Sequence, residues 1–222
     1  MIIKLHKNVS SLNIGLLGTR NGYLAEVLNS KKIKFTLIND IKEINTKLDI
    51  VFASGVYTIL PKEFLKIPKY GIIGFHETPL PEGRGCAPIQ WTVEANRANL
   101  TITAFMFTEG LDEGEYVYQY NIGIFKKDTL EVLEEKRIEG IKKCFESLLY
   151  EMEHGIIVRR KQTGLGSINK RRTPNDSMLD INVPLVQLWD KIRICDNDKY
   201  PPYFIIDGNK VVLKYKIIKD KA

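Results

Sequence analysis

The chain has 222 residues, 44% apolar and 27% charged, which is the composition of a globular protein rather than a disordered, fibrous or membrane-embedded one. With Gly 16 and Pro 9 there is no low-complexity excess, and no apolar run approaches the roughly 18 residues of a membrane-spanning helix. The formal charge of +6 is unevenly divided: residues 1 to 154 hold 19 Lys and Arg against 20 Asp and Glu, whereas residues 155 to 222 hold 14 against 7. A basic final third is either a solvated surface or a face that meets an anion, such as a nucleotide diphosphate or a nucleic acid backbone.

In chain order, Leu12 to Gly18 is a short apolar run ending in glycine, followed by Thr19-Arg20-Asn21-Gly22 and a helical pattern through Tyr23, Leu24, Val27 and Leu28. Ile33 to Ile38 and Leu48 to Ala53 read as further strands, with a short polar helix predicted over Asp40 to Lys47 between them. Lys62 to Lys66 gives another short helical piece, and Tyr70 to Phe75 a fourth buried strand. Strand and helix alternate, so the expected fold is α/β, a Rossmann-like doubly wound and mostly parallel sheet.

The pattern then changes. Ala87 to Arg97 is predicted as a helix, and Leu100 to Phe107 and Tyr116 to Phe125 as strands joined by the turn Leu111-Asp112-Glu113-Gly114. Asp128 to His154 opens with an expected N-cap Asp and keeps apolar positions Leu130, Leu133, Ile138, Ile141, Phe145, Leu148 and Leu149, the pattern of one long amphipathic helix. Beyond Gly155 the chain is basic and interrupted by Gly164 and Gly166; a helix is predicted over Leu185 to Cys195, then a hairpin of Tyr203 to Ile206 and Val211 to Ile217 through Asp207-Gly208. The expected division is a catalytic domain over 1–160 and a small α+β subdomain over 161–222.

The N-terminal Met-Ile-Ile-Lys-Leu-His-Lys lacks the make-up of a signal peptide, so the chain is expected in the cytoplasm. Cys86, Cys144 and Cys195 are odd in number and far apart. They point to neutral thiols, with no disulfide framework and no metal site.

The candidate chemistry begins at His76, at the carboxyl end of the fourth strand, where open α/β sheets place their ligands. The loop Glu77-Thr78-Pro79-Leu80-Pro81-Glu82-Gly83-Arg84-Gly85 behind it carries prolines and glycines that fix its shape. Asp112 follows 36 residues after His76. It either fixes its turn or brings a carboxylate to the imidazole; such a pair can act as general base toward an amine.

The run His76-x-x-x-Leu80-Pro81-x-x-Arg84-Gly85-x-x-Pro88-Ile89-x-Trp91, with Leu111-Asp112-x-Gly114 after it, resembles the signature of formyltransferases that use N10-formyltetrahydrofolate. The resemblance is strongest from Asp49 to Phe125 and continues more weakly through Arg171-Arg172-Thr173-Pro174-x-Asp176. It implies His76 and Asp112 as the catalytic pair. It also implies a folate site formed by Tyr57, Ile59, Leu60, Leu80, Arg84, Glu109, Gly110 and Leu111, recognised mainly through backbone groups around Tyr57-Thr58-Ile59-Leu60 and Thr108-Glu109-Gly110-Leu111. One departure stands out. The family pattern is Asn-x-His, the Asn donating to the formyl oxygen, and here that position is Gly74; losing such a donor costs roughly 3 to 4 kcal/mol unless a protonated His76 or a backbone N–H replaces it.

For the acceptor amine, relatives use glycinamide ribonucleotide, initiator methionyl-tRNA or a nucleotide-linked amino sugar. Only about 60 residues follow position 160, which points away from the longer tRNA enzymes, and the tail resembles that of sugar N-formyltransferases of surface-polysaccharide pathways. The expected partner is therefore a nucleotide-linked amino sugar, with no nucleic acid and no membrane, and a homodimer left open. Arg171, Arg172 and Arg193 would meet its phosphates, and Tyr203, Trp189 or Phe204 would stack on its base or pack the subdomain; Trp91 reads as core. Glycinamide ribonucleotide as acceptor, and a relative made catalytically silent by Gly74, are the alternatives. A nicotinamide-dependent oxidoreductase fits only the strand-turn-helix start and lacks G-x-G-x-x-G.

Overall fold

The structure, a computed structural model, describes residues 1–218. Its elements in order are β1 (Ile2–Lys4), β2 (Ile14–Leu17), α1 (Gly22–Ser30), β3 (Phe35–Ile38), β4 (Ile50–Ala53), α2 (Lys62–Leu65), β5 (Ile72–His76) and β6 (Arg84–Gly85). There follow α3 (Pro88–Glu94), β7 (Asn99–Met106), β8 (Tyr116–Gly123), α4 (Leu130–Glu153), β9 (Ile156–Val158), β10 (Ile168–Asn169), α5 (Leu185–Arg193), β11 (Tyr203–Ile206) and β12 (Asn209–Val212).

Six strands form the central sheet in the order β3-β2-β4-β5-β7-β8. The first four run parallel, and β7 and β8 add antiparallel to β5 and to each other. All four residues of β2 and of β4 are buried, as strands covered on both faces must be, which is why both read as unbroken apolar runs. Between β2 and β4 the order of connection reverses, opening a crevice at their carboxyl ends. Gly18 and Gly55 shape it, both at positive φ; a Cβ on Gly18 would stand 2.3 Å from the Ser54 carbonyl oxygen, so only glycine lets the loops touch.

Helix α4 lies along one face of the sheet. Its Phe145 ring meets Phe52 edge-on at 4.7 Å and Phe75 at 5.8 Å, and Gly140 lets the helix sit close, since a Cβ there would come within 2.9 Å of Ile102. Thr129 caps it, not the expected Asp128; the Asp128 carboxylate instead accepts from the Phe125 N–H at 2.7 Å and pairs with Lys136. The helix predicted over Asp40 to Lys47 is one short 3-10 turn, Ile41–Glu43, capped by Asp40. Its few apolar residues cannot support a longer helix.

The chain after α4 is stitched back onto the rest. Strand β9 pairs antiparallel with β1, and β10 pairs parallel with β6. The predicted closing hairpin is present but shorter, β11 and β12 joined at Asp207 and Gly208, both at positive φ as a type I′ turn requires. No helix among the described residues is long and apolar enough to cross a membrane.

Candidate active site

His76 closes β5 and is buried. Its Nε2 lies 2.9 Å from the Gly83 carbonyl oxygen, and a carbonyl only accepts, so Nε2 carries the proton and Nδ1 is the basic nitrogen of the neutral ring. Nδ1 faces Asp112 Oδ2 at 3.7 Å. Asp112 sits in a left-handed turn, φ 51°, a conformation Asp tolerates better than most residues. Its carboxylate accepts from the Gly85 N–H at 2.8 Å. The loop from 77 to 85 thus holds both groups, His76 through Gly83 and Asp112 through Gly85.

Three tail residues absent from the sequence expectations brace this arrangement. Gln162 donates to the carbonyl oxygens of Asp112 and Gly114, each at 2.7 Å, and accepts from Arg84 at 2.7 Å. Ser167 accepts from the Gly83 N–H at 2.8 Å, and Asn169 donates to the Gly83 carbonyl at 3.2 Å. Neither residue type nor spacing flags them; the one cue is polar side chains set around Gly164 and Gly166.

Gly74 has a packing reason. A Cβ there would lie 1.9 Å from Phe107 Cε1, so the Phe107 ring fills the volume in which the expected family Asn would project. Phe107 in turn packs beside Phe105 with ring centroids 5.3 Å apart.

A cavity of about 730 Å³ surrounds His76 and Asp112 and extends both ways along the sheet edge. On one side its wall is Val56 to Leu60, Phe107, Thr108, Gly110 and Leu111. Tyr57 is 68% and Ile59 60% exposed, so neither side chain is packed into the core, whereas Leu60 is 3% exposed and presents little beyond its backbone. Leu80, Arg84 and Glu109 do not line the cavity. Leu80 is buried in the loop, Arg84 is held by Gln162 and Glu113, and Glu109 turns outward to Lys62 at 2.7 Å.

On the other side the wall includes Arg20, Glu77, Glu134, Arg137, Arg171, Arg172 and Tyr200. Arg172 is partly engaged, 2.6 Å from Glu94 and donating to the Asp176 carbonyl at 3.0 Å. Arg171 is exposed and, among the described residues, makes no ion pair. Arg193 and Tyr203 correct the sequence expectation. The Arg193 guanidinium is 3% exposed and turned inward, bound to Asp190 and to the carbonyls of Phe125 and Asp128; Tyr203 is buried with its hydroxyl on Asn175. Trp189 and Phe204 also stay off the cavity, Trp189 donating to the Lys126 carbonyl and packing on Tyr215. Trp91 is not core: its Nε1 donates to the Lys170 carbonyl, and Arg172 lies over its ring.

Arg137 was legible. It falls on the apolar stripe of α4, four residues from Leu133 and four from Ile141, where a charge must find a partner. Burial pushes the carboxyl of Glu77 above its usual range, with His76 and Arg20 opposing. Cys86 and Cys195 also touch the cavity as free thiols; burial raises the Cys195 thiol.

A family profile described as formyl transferase matches residues 25–147 of the chain. The chain belongs to that family. It is 34% identical over 190 residues to the methionyl-tRNA formyltransferase of Thermodesulfovibrio yellowstonii, covering 83% of this chain and 59% of that protein. The chain spans about half to three fifths of the length of the first such curated relatives. Among solved structures it is similar to a 4-N formyltransferase from Francisella tularensis, with TM-score 0.74, 17% identity, and 94% and 98% of the two chains covered. It also resembles the formyltransferase PseJ from Anoxybacillus kamchatkensis, solved with UDP-4,6-dideoxy-4-formamido-L-AltNAc and tetrahydrofolate, with TM-score 0.60, 23% identity, and 72% and 85% covered. At these identities the structures speak for the fold.

Proposed function

We propose that the protein transfers the formyl group of N10-formyltetrahydrofolate to the amine of a nucleotide-linked amino sugar. The observation that carries this reading is the 3.7 Å pair of His76 Nδ1 and Asp112 in the middle of one cavity, with a slot of loop backbone on one side and Arg171 and Tyr200 on the other. The slot of Val56 to Leu60 and Thr108 to Leu111 suits a flat pterin ring, which main-chain N–H and C=O groups can read. The unpaired Arg171 and the partly engaged Arg172 supply charge for a diphosphate, and Tyr200 a face for a base.

In this reading the amine nitrogen bonds to the formyl carbon and the bond from that carbon to N10 breaks. His76 Nδ1 takes the proton that the amine loses and returns it to N10. Asp112 orients the ring and stabilises its charged form between those events. The Gly83 carbonyl, accepting from Nε2–H, fixes the tautomer.

A second acceptor, methionyl-tRNA, is favoured by the 34% identity to a methionyl-tRNA formyltransferase over 83% of this chain. The deciding experiment incubates the protein with N10-formyltetrahydrofolate and thymidine-, uridine- or guanosine-linked amino sugars, glycinamide ribonucleotide, or methionyl-tRNA, following tetrahydrofolate release. Release with a nucleotide-linked amino sugar alone is the expected result. Release only with methionyl-tRNA or glycinamide ribonucleotide would reassign the acceptor, and binding of both ligands without release would make the protein a silent relative, the outcome that Phe107 beside Gly74 favours.

A further inference from the structure

The α4 side of the cavity holds a charged group that the transfer chemistry does not use. Glu77 follows His76 at the end of β5, so its side chain leaves the opposite face of the strand, and it is 8% exposed. The titratable and charged groups around it come from every element packed there: Arg20 from the turn after β2, Arg137 and Glu134 from α4, His76 from β5 and Asp112 from its turn. Arg137 is 6% exposed, joined to Glu134, and its Nε–H has no hydrogen-bond partner among the described residues.

The Glu77 carboxylate meets its two guanidinium neighbours as ion pairs and not as direct hydrogen bonds. Arg137 Nη1 lies 3.6 Å and Arg20 Nη1 4.0 Å from Glu77 Oε1. Both exceed the range of a direct N–H···O bond, about 2.7 to 3.2 Å, and both suit a hydroxyl standing about 2.8 Å from the carboxylate and the guanidinium at once. A hydroxyl can do this because it donates and accepts at the same oxygen. The quartet has two charges of each sign, so a phosphate gains little there, whereas a neutral hydroxylated ring satisfies groups that are costly to leave unpaired in a buried place.

We propose that Glu77, Arg137 and Arg20 form a hydroxyl-reading subsite that grips the sugar ring of the acceptor while its amine faces His76. This rests on the reading of the acceptor as a nucleotide-linked amino sugar. Recognition of this kind sets specificity through the ring hydroxyls, while Arg171 meets the phosphates further out.

The test is calorimetric titration in the presence of tetrahydrofolate, with a uridine-diphosphate-linked 4-amino-4-deoxyhexose and its analogue stripped of the 2- and 3-hydroxyls. Stripping the hydroxyls is expected to weaken binding to the wild type by about tenfold or more. In Glu77→Met, which removes the acceptors of the Glu77 carboxylate, the two ligands are expected to bind within about twofold of each other. Should that variant fail to fold, Glu77→Gln keeps the shape and is expected to cut the hydroxyl preference to a few fold. Equal affinity of the two ligands for the wild type would overturn the subsite. So would a full hydroxyl preference in the Glu77 variants with only the melting temperature lowered, which would leave Glu77 a structural ion pair. Glycinamide ribonucleotide and its deoxyribose analogue are titrated alongside. If only that pair binds, the nucleotide-sugar reading falls, and the same Glu77 comparison on the ribose hydroxyl decides the subsite by itself. Binding of none of the four overturns both.

Discussion

His76 stands at the end of a strand buried along nearly its whole length, in a sheet whose neighbouring strand β4 is shut away from water on both faces. Gln162, Ser167 and Asn169 reach the loops that hold His76 and Asp112 from the tail, half-buried or exposed, and are held by side-chain hydrogen bonds and a two-residue strand pairing. The sheet region therefore fixes His76 through cooperative backbone structure, and the tail fixes the loops around His76 and Asp112 through contacts that open locally at small cost. Chemistry needs its groups placed to a fraction of an ångström. Acceptor recognition tolerates, and product release benefits from, a wall that moves.

The largest expected effect tests the sheet side of that contrast. His76→Asn should lower formyl transfer by about a thousandfold and Asp112→Asn by about a hundredfold, read as tetrahydrofolate release at saturating substrates. Rates within about threefold of wild type would show that the pair does not carry the transfer. Neither change alters the sheet, so thermal melting should stay close to that of the wild type.

Gly74 comes next, through stability. Gly74→Ala puts a methyl 1.9 Å from a Phe107 ring carbon, inside a packed sheet face. The expected cost is about 1 to 3 kcal/mol in denaturant unfolding. Adding Phe107→Ala opens the space and should recover part of that loss, a coupling that the two single changes would lack if the residues were independent.

What the sequence disclosed follows the same boundary. Buried parallel strands are apolar on both faces, so β2, β4 and β5 are visible as runs, and His76 is visible because it ends one of them. Asp112 is visible through its turn. Arg193 and Tyr203 misled because residue type does not tell which way a side chain turns: Arg193 faces inward to satisfy the carbonyls of Phe125 and Asp128 ahead of α4. Gln162 and Asn169 act through contacts 50 and 86 residues away along the chain. No local pattern encodes such pairings. Glu77 carries no sequence signal of its own: it follows His76 and serves the other face of the strand.

Gln162→Ala tests the tail's hold on the turn that carries Asp112. It removes the donors to Asp112 and Gly114 and the acceptor for Arg84. With the turn loosened, kcat is expected to fall about tenfold while the KM for N10-formyltetrahydrofolate stays within about twofold, since the slot proposed for the pterin is built mostly from other segments. A change in KM alone would assign Gln162 to binding and not to positioning. Gln162→Glu keeps the acceptor for Arg84 and loses the donors, so it should behave as the alanine variant does.

The smallest effect concerns the segment that carries Arg171 and Arg172 to the cavity. Asp176 closes a capping box there, accepting from the Thr173 N–H at 2.7 Å and hydroxyl at 3.0 Å, with Lys170 at 3.1 Å. The Thr173 N–H, more than the lysine, brings its carboxyl down to about 2. A carboxyl held below its unfolded value, about 3.9, stabilises the fold fully above that value and loses the contribution as pH falls through about 2. Asp176→Asn is thus expected to cost about 1 kcal/mol near neutral pH, the worth of a cap, with the gap from wild type closing between about pH 4 and 2. Hydrogen exchange should locate the loss in residues 170 to 178 and leave β4 and β5 protected; a loss spread evenly through the sheet would mean that the tail and the sheet open as one unit, and the contrast between them would not hold.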